Sequence, residues 1–106
     1  MQSVQPKHDV FHAIADQHRR KILMLLANDE RSITSITDEF SISRTAVNKH
    51  LTILYESNLV TKKTSGRETR YKTHAQELKK VSDWLQYFDV YWDNKLENLK
   101  NYVNDN

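Results

Sequence analysis

Residues 43–59, SRTAVNKHLTILYESNL, decide the fold of this chain. Apolar residues recur there at helical spacing and place Val47, Leu51 and Leu54 on one side of a helix. The opposite side carries hydroxyls, amides and cations, which belong to Arg44, Thr45, Asn48, Lys49 and Thr52. Such side chains bind base edges and phosphates, so this face suits the major groove of DNA. A solvated polar face is the competing interpretation.

The residues just before this helix predict a helix-turn-helix. A short helix is expected over residues 32–40, SITSITDEF, where Ser32 can cap the N-terminus. A break at residues 41–43 follows, and Ser43 can cap the longer helix by accepting a hydrogen bond from a backbone N–H in its first turn. A short helix, a tight turn and a longer polar-faced helix in this order are typical of a helix-turn-helix.

Two further helices are predicted ahead of this unit. Residues 1–6 lack periodicity and hold the sole proline, so we expect a loose arm there. Residues 7–15 predict a short first helix. Asp16 can cap a second helix that runs to about residue 27. Three cations are expected to face outward near the start of this second helix, namely Arg19, Arg20 and Lys21.

A β-hairpin is predicted after the helix-turn-helix. Residues 60–64 (VTKKT) and 68–73 (ETRYKT) are short runs rich in Val, Thr and Tyr. Between them lies Gly66, the sole glycine of the chain, and a hairpin turn needs the positive φ that glycine adopts without a Cβ clash. A hairpin at this place would form a wing. Its cations would reach phosphates or the minor groove, and they are Lys62, Lys63, Arg67 and Arg70.

The last third of the chain predicts one long helix and a homodimer. Residues 75–104 contain no Gly or Pro, and apolar residues step by three and four along them. Such a helix spans about 40 Å, whereas a compact domain of this size has a radius of gyration of about 13 Å. The overhang would expose large aromatic side chains unless a second chain covered them. The predicted interface comprises Val10, Phe11, Ile14, Val81, Trp84, Leu85, Phe88, Trp92, Leu96 and Leu99.

Composition limits the class of protein. The 106 residues suffice for one domain with a modest core, and the absence of cysteine excludes disulfides and thiolate metal sites. The net charge is only +2, but residues 44–72 hold seven cations against two acids, whereas the chain after His74 holds four cations against six acids. A local basic block of this kind attracts a polyanion. No signal peptide, lipidation motif or long apolar run is found, and a cytoplasmic protein is expected.

With these elements in order, the chain resembles the ArsR/SmtB family of winged-helix repressors. The likeness is strongest in IADQHRRKILMLL (residues 14–26), in ISRTAVNKHLTIL (residues 42–54) and in the Gly66-Arg67 wing. The resemblance implies a homodimer joined through its first and last helices and a DNA operator as the partner. It also implies that Arg44, Thr45, Asn48 and Lys49 enter the major groove and that Arg67 lies at the wing tip.

Departures from the family pattern bear on metal sensing. The metal-sensing branches use a cysteine pair in the third helix, where this chain has SITSIT, and the final helix lacks the zinc ligands of another branch. The chain therefore resembles a branch without those sites. Gln17 and Thr45 stand where many relatives have proline, which affects only the first turn of each helix.

The histidines and aromatic residues leave several alternatives open. His8 and His12 have the i, i+4 spacing of a zinc or nickel pair, but two ligands make an incomplete site, and no metal or other cofactor is predicted. His50 is interpreted as a buried, hydrogen-bonded structural residue, and His18 and His74 have no visible partner. The aromatic cluster of residues 84–92 fits core and dimer packing, with a pocket for an apolar effector as the alternative.

The sequence therefore predicts a mainly α protein, a winged helix-turn-helix with a two-stranded wing and a long C-terminal dimerisation helix. Its function would be transcriptional regulation, as a homodimeric repressor on a palindromic operator. An enzyme is not predicted, because the chain has no phosphate-binding glycine loop and no G-x-S-x-G turn. A metal- or small-molecule-responsive sensor and a protein-association module are the alternatives. The expected DNA contacts are Ser43, Arg44, Thr45, Asn48, Lys49, Thr52, Lys62, Lys63, Arg67 and Arg70.

Overall fold

The computed structural model describes residues 7–92, in which the helices and strands follow the predicted order. The helices are α1 (Val10–Ala13), α2 (Gln17–Asn28), α3 (Ile33–Thr37), α4 (Arg44–Glu56) and α5 (Lys79–Gln86). The strands are β1 (Arg31–Ser32), β2 (Val60–Ser65) and β3 (Glu68–Thr73), and a 3-10 helix, Ala75–Leu78, leads into α5. In this part of the chain, no helix combines the length and the apolar character that crossing a membrane requires.

Side-chain caps start three of the helices where the sequence predicts them. Asp16 accepts hydrogen bonds from two backbone N–H groups of α2, at 2.8 and 3.1 Å. Ser32 and Ser43 each accept one from the first turns of α3 and α4, at 3.2 and 3.1 Å. Each cap satisfies a donor that the helix itself leaves unpaired and contributes about 1 kcal/mol to stability.

The core lies between the helices and one face of the sheet. Val47, Leu51 and Leu54, the predicted apolar side of α4, are 0–1% exposed. They cluster with buried residues of the other elements, namely Val10, Ala13, Ile22, Leu23, Leu26, Ile36, Leu59 and Val60. Because this packing fixes the rotation of α4 about its axis, the polar side of α4 faces solvent.

The sheet has three strands, one more than predicted, in the order β1-β3-β2. β2 and β3 form the predicted antiparallel hairpin, and Gly66 has the expected positive φ, +63°. Gly66 is the first of two turn residues, as in a type II′ turn. β1 pairs with the other side of β3, through Arg31 and Ser32. Sequence reasoning missed β1 because two residues show no periodicity.

Arg19 is buried, although its position beside two other cations predicted an outward orientation. Its residue surface is 8% exposed. Its Nε donates a hydrogen bond of 2.6 Å to the Ala13 carbonyl, and its Nη2 donates one of 3.1 Å to the His12 carbonyl. The guanidinium thus satisfies the last carbonyl groups of α1 and holds this short helix against α2. The neighbouring Arg20 stays exposed and donates to the Ile14 carbonyl at 2.8 Å.

The segment after the sheet is not the continuous α-helix that the sequence predicts from residue 75. It begins as a 3-10 helix and becomes α-helical in α5, and residues 87–88 form a turn before residues 89–92 become helical again. At this turn the N–H groups of Tyr87 and Phe88 bond to carbonyls three residues back, at 3.2 and 3.0 Å. This tightening needs no Gly or Pro, so the sequence gives no signal of it. The remainder of the predicted helix, with Leu96 and Leu99, lies outside the described residues.

Candidate DNA-binding surface and associated sites

The polar side of α4 and the wing together form an open cleft of about 450 Å³. The residues lining it come from α3, α4 and the hairpin, and they are Ile33, Arg44, Thr45, Asn48, Arg67, Thr69 and Tyr71. The fold thus brings Arg44, Thr45 and Asn48 next to Arg67, which is 19 residues beyond Asn48 in the sequence. Lys49 and Thr52, also predicted to read the groove, do not line this cleft. Burial raises the pKa of Tyr71, so its hydroxyl stays protonated and can donate a hydrogen bond.

Local hydrogen bonds orient the α4 side of this cleft. The Ser43 hydroxyl caps α4 by accepting a hydrogen bond from the Ala46 N–H at 3.1 Å. Nη1 of Arg44 lies 3.4 Å from the Thr34 hydroxyl of α3, while the side chain remains exposed. The Thr52 hydroxyl donates to the backbone carbonyl of Asn48 at 2.9 Å, a bond that leaves the Asn48 side-chain amide uninvolved. The cleft therefore presents a guanidinium and an amide, the groups that make bidentate bonds to guanine and adenine.

The predicted wing cations differ in their surroundings. Arg67 and Lys63 are exposed, and Arg67 lines the cleft. Nζ of Lys62 lies 4.2 Å from the centroid of the Tyr55 ring, a cation–π contact at the C-terminal half of α4. Lys62 does not line the cleft.

Arg70 is engaged by two carboxylates. Its Nε lies 3.3 Å from a Glu30 carboxylate oxygen and its Nη1 lies 3.2 Å from one of Glu68. Its Nη2 also donates to the Glu30 carbonyl at 3.0 Å. These contacts tie β3 to the start of β1, and they neutralise the charge locally. Arg70 therefore has less free charge to offer an anion than Arg67 does.

A separate face of the molecule, on α1 and α5, exposes large aromatic side chains. Trp84 packs edge-to-face against Phe11 and Phe88, with ring centroids 5.8 and 5.2 Å apart. These three residues keep 38–49% of their surface exposed, and Leu85 and Trp92 beside them are exposed as well. Large exposed apolar patches are typical of surfaces that bind another protein chain.

Three residues of the predicted dimer interface are less accessible than this patch. Val10 belongs to the core of its own chain and is 2% exposed, so it has almost no surface to offer a partner. Ile14 and Val81 are half-buried and pack against the same core. The physical reason is that α1 has only four residues, and its buried side is needed to close the core over α2 and α5.

Asp16, His18 and His50 converge between the start of α2 and the middle of α4. One ligand atom from each of the three side chains lies within 4.8 Å of those from the other two. The two imidazole rings are 5.5 Å apart, and Nδ1 of His18 is 3.7 Å from Oδ1 of Asp16. The prediction that His18 lacks a partner is therefore wrong, since the fold joins residues 32 positions apart.

The charges in this cluster are balanced by burial and by hydrogen bonds. Burial lowers the pKa of His50; the Asp16 carboxylate opposes this effect, and the Arg19 guanidinium adds to it. Burial also tends to raise the pKa of Asp16, but the backbone N–H groups of Arg19 and His18 outweigh it, so this pKa lies below its ordinary value. His50 is half-buried, and its Nδ1 lies 3.3 Å from Nη1 of Arg19, which agrees with the predicted hydrogen-bonded role.

His8 and His12 form a pair on their own. Their ring centroids lie 5.6 Å apart, and Nε2 of His8 is 3.4 Å from a carboxylate oxygen of Glu56 at the end of α4. This contact ties the residues before α1 to α4.

The helix-turn-helix with its hairpin defines the class of protein, a winged helix-turn-helix regulator. The family described as "Bacterial regulatory protein, arsR family" matches residues 16–62. The transcriptional repressor SdpR of Bacillus subtilis (strain 168) is 32% identical over 89 residues, which are 84% of this chain and 99% of that protein. The chain therefore belongs to the ArsR family, as its sequence resemblance predicts, and it is a DNA-binding transcriptional regulator.

Solved structures agree with this assignment. An ArsR-like transcriptional regulator from Rhodococcus sp. RHA1 superposes with a TM-score of 0.70 at 33% identity, over 92% of this chain and 89% of that one. A possible transcriptional regulator for arsenical resistance superposes with a TM-score of 0.69 at 30% identity, over 93% of this chain and 97% of that one. The predicted winged-helix fold class is thereby confirmed.

Proposed function

We propose that this protein is a homodimeric repressor that binds an imperfect palindrome in DNA. The observation that carries the proposal is the cleft in which the polar side of α4 meets Arg67 of the wing. A repressor role is supported by the similarity to SdpR, itself named a transcriptional repressor. In the proposed complex α4 enters the major groove, and the wing contacts the adjacent phosphates or minor groove.

Two-fold symmetry determines the form of the target. A dimer joined through the aromatic face of α1 and α5 carries two α4 helices, which read two half-sites about one helical turn apart. In each half-site the residues that line the cleft form the centre of the proposed contact surface, and they are Arg44, Thr45, Asn48 and Arg67. The outer contacts lie around this centre. The outer contacts are Ser43, Lys49, Thr52, Lys62, Lys63 and Arg70, of which Arg70 contributes least because Glu30 and Glu68 engage it.

Selection from a library of random duplexes tests the proposal as a whole. The purified full chain is expected to enrich an imperfect palindrome, and the enriched duplex should exceed random DNA in affinity by about 10³-fold or more. The salt dependence of binding should be steep, since each phosphate contact releases counterions. A library that shows no enrichment after repeated rounds would contradict sequence reading and favour a protein-association role.

Asn48→Ala is expected to reduce the preference for the selected operator over random duplex. If the Asn48 amide makes a bidentate bond to a base, its loss costs about 1–3 kcal/mol on the operator and little on random DNA. Fluorescence anisotropy with both duplexes measures the two affinities. Asn28→Ala, at the exposed end of α2, is the matched control and should leave both affinities unchanged. Equal weakening on both duplexes would remove Asn48 from the base contacts.

Arg67→Ala is expected to weaken binding to all duplexes and to reduce its salt dependence. Each phosphate that the variant no longer neutralises lowers the slope of log K against log salt by about one unit. Titrations at several salt concentrations measure this slope. Lys79→Ala, an exposed cation at the start of α5, serves as the control of equal charge. An unchanged slope in Arg67→Ala would mean that the wing tip does not touch a phosphate.

A further inference from the structure

We propose that Asp16, His18 and His50 form a binding site for a divalent transition-metal ion of the Zn²⁺ or Co²⁺ type. The proposal goes beyond DNA binding and does not depend on it. Two imidazoles and one carboxylate form a donor set that suits Zn²⁺ and related ions, which take three protein ligands and a water in open tetrahedral sites. The site is distinct from the His8 and His12 pair, which lies on the segment around α1.

The geometry requires only small side-chain movements. Ligands at the usual metal distance of about 2.0–2.2 Å from a tetrahedral ion are about 3.4 Å from one another. The candidate ligand atoms already lie within 4.8 Å of one another. Side-chain rotations that move each ligand atom by about 1 Å would therefore bring them to the distances of a tetrahedral site. All three residues are half-buried, which leaves a route for an ion to enter from solvent.

Asp16 can serve the metal and α2 together. Its Oδ1 accepts the two cap hydrogen bonds, and the second carboxylate oxygen remains available, because a carboxylate offers about four acceptor positions. The two backbone N–H groups also favour the ionised form of this carboxylate. The helix cap therefore holds the carboxylate in position before a metal ion binds.

Arg19 is the main opposing group. Its Nη1 lies 3.3 Å from Nδ1 of His50, so an ion bound at that nitrogen replaces one Arg19 contact. The guanidinium keeps its bonds to the Ala13 and His12 carbonyls and remains in place as a nearby positive charge. Repulsion from it lowers the affinity of the site for a cation.

Metal binding would cross-link α2 to α4, the helix that is proposed to enter the major groove. Asp16 and His18 belong to the cap and first turn of α2, whereas His50 lies on α4, two residues after Asn48. An ion that binds the folded chain alone stabilises it in proportion to the logarithm of its concentration once the site is saturated. At about 100 times the dissociation constant, the melting temperature should rise by about 10 °C.

Titration of the tag-free, chelator-treated full chain with Co²⁺ tests the site. We expect one ion per chain and the visible bands of four-coordinate cobalt, with Zn²⁺ displacing cobalt and raising the melting temperature. His18→Gln and His50→Gln should abolish both effects. Asp16→Asn is the sharpest variant, because asparagine retains the helix cap while it removes the charged ligand.

The double variant His8→Gln/His12→Gln is the control and should bind as the unaltered protein does. Binding that survives Asp16→Asn and His18→Gln, or that is lost in the control alone, would overturn the proposal. The absence of saturable binding at millimolar Co²⁺ would overturn it as well. Circular dichroism of each variant establishes that the helices remain folded, so a loss of binding reports on the ligands.

Discussion

Replacement of Leu85 and Phe88 by glutamate together is expected to convert the proposed dimer into monomers. Both side chains belong to the exposed aromatic face of α1 and α5, so the monomer tolerates the change, whereas a dimer would have to bury the new charges. Loss of the second α4 also removes bivalent binding, which weakens operator affinity by about 10²- to 10⁴-fold. Sedimentation measures the first effect, and titration of the operator duplex measures the second.

Val90→Glu provides the matched control for this experiment. Val90 is apolar and 71% exposed, and it lies just beyond the turn at residues 87–88. It should leave both the mass and the operator affinity unchanged. An intact dimer after the double replacement would show that another surface joins the protomers. Monomers that still bind the operator at full affinity would contradict the bivalent arrangement.

Local physical chemistry accounts for the parts of the fold that the sequence predicts well. The starts of α2, α3 and α4 follow from short polar side chains that satisfy nearby backbone donors, within three residues. The hairpin follows from one glycine at a position that needs a positive φ. The polar side of α4 follows from the helical spacing of its apolar residues. None of these inferences requires knowledge of distant contacts.

The failed predictions concern interactions that the local pattern does not encode. β1 forms because its two residues pair with the edge of β3, about 40 residues later in the sequence. Two residues are too few to show the periodicity that would predict a strand. His18 and His50 meet because α2 packs against α4. Apolar periodicity predicts a continuous final helix. The periodicity of the sequence does not reveal that the N–H groups of Tyr87 and Phe88 bond to carbonyls three residues back and not four. In each case tertiary structure decides between locally acceptable conformations.

The candidate DNA surface shows the same division. The α4 residues are identifiable from the sequence because a helix displays its polar residues on one side. The roles of the wing cations cannot be identified from the sequence, since they depend on neighbours from other elements. Lys62 contacts Tyr55, and Arg70 pairs with Glu30. The sequence supplies the set of candidate side chains, and the fold ranks them.

Arg19→Leu is expected to lower the free energy of unfolding by about 1–3 kcal/mol, the cost of an unsatisfied buried acceptor. The change leaves the buried Ala13 carbonyl without its donor, whereas the His12 carbonyl keeps the hydrogen bond from the Ala15 N–H at 3.2 Å. Leucine cannot donate a hydrogen bond to a carbonyl, although its volume and apolar character suit a core. Urea denaturation followed by circular dichroism measures the free energy, and the change should appear in the midpoint with little change in slope.

Arg20→Leu separates this effect from the loss of a cation. Arg20 also donates to a carbonyl at the end of α1, that of Ile14, but its side chain is exposed and water can take its place. We therefore expect a change within about 0.5 kcal/mol. Equal losses for the two variants would mean that charge and not burial sets the cost. Because α1 carries Phe11 to the aromatic face, Arg19→Leu should also weaken the proposed dimer, whereas Arg20→Leu should not.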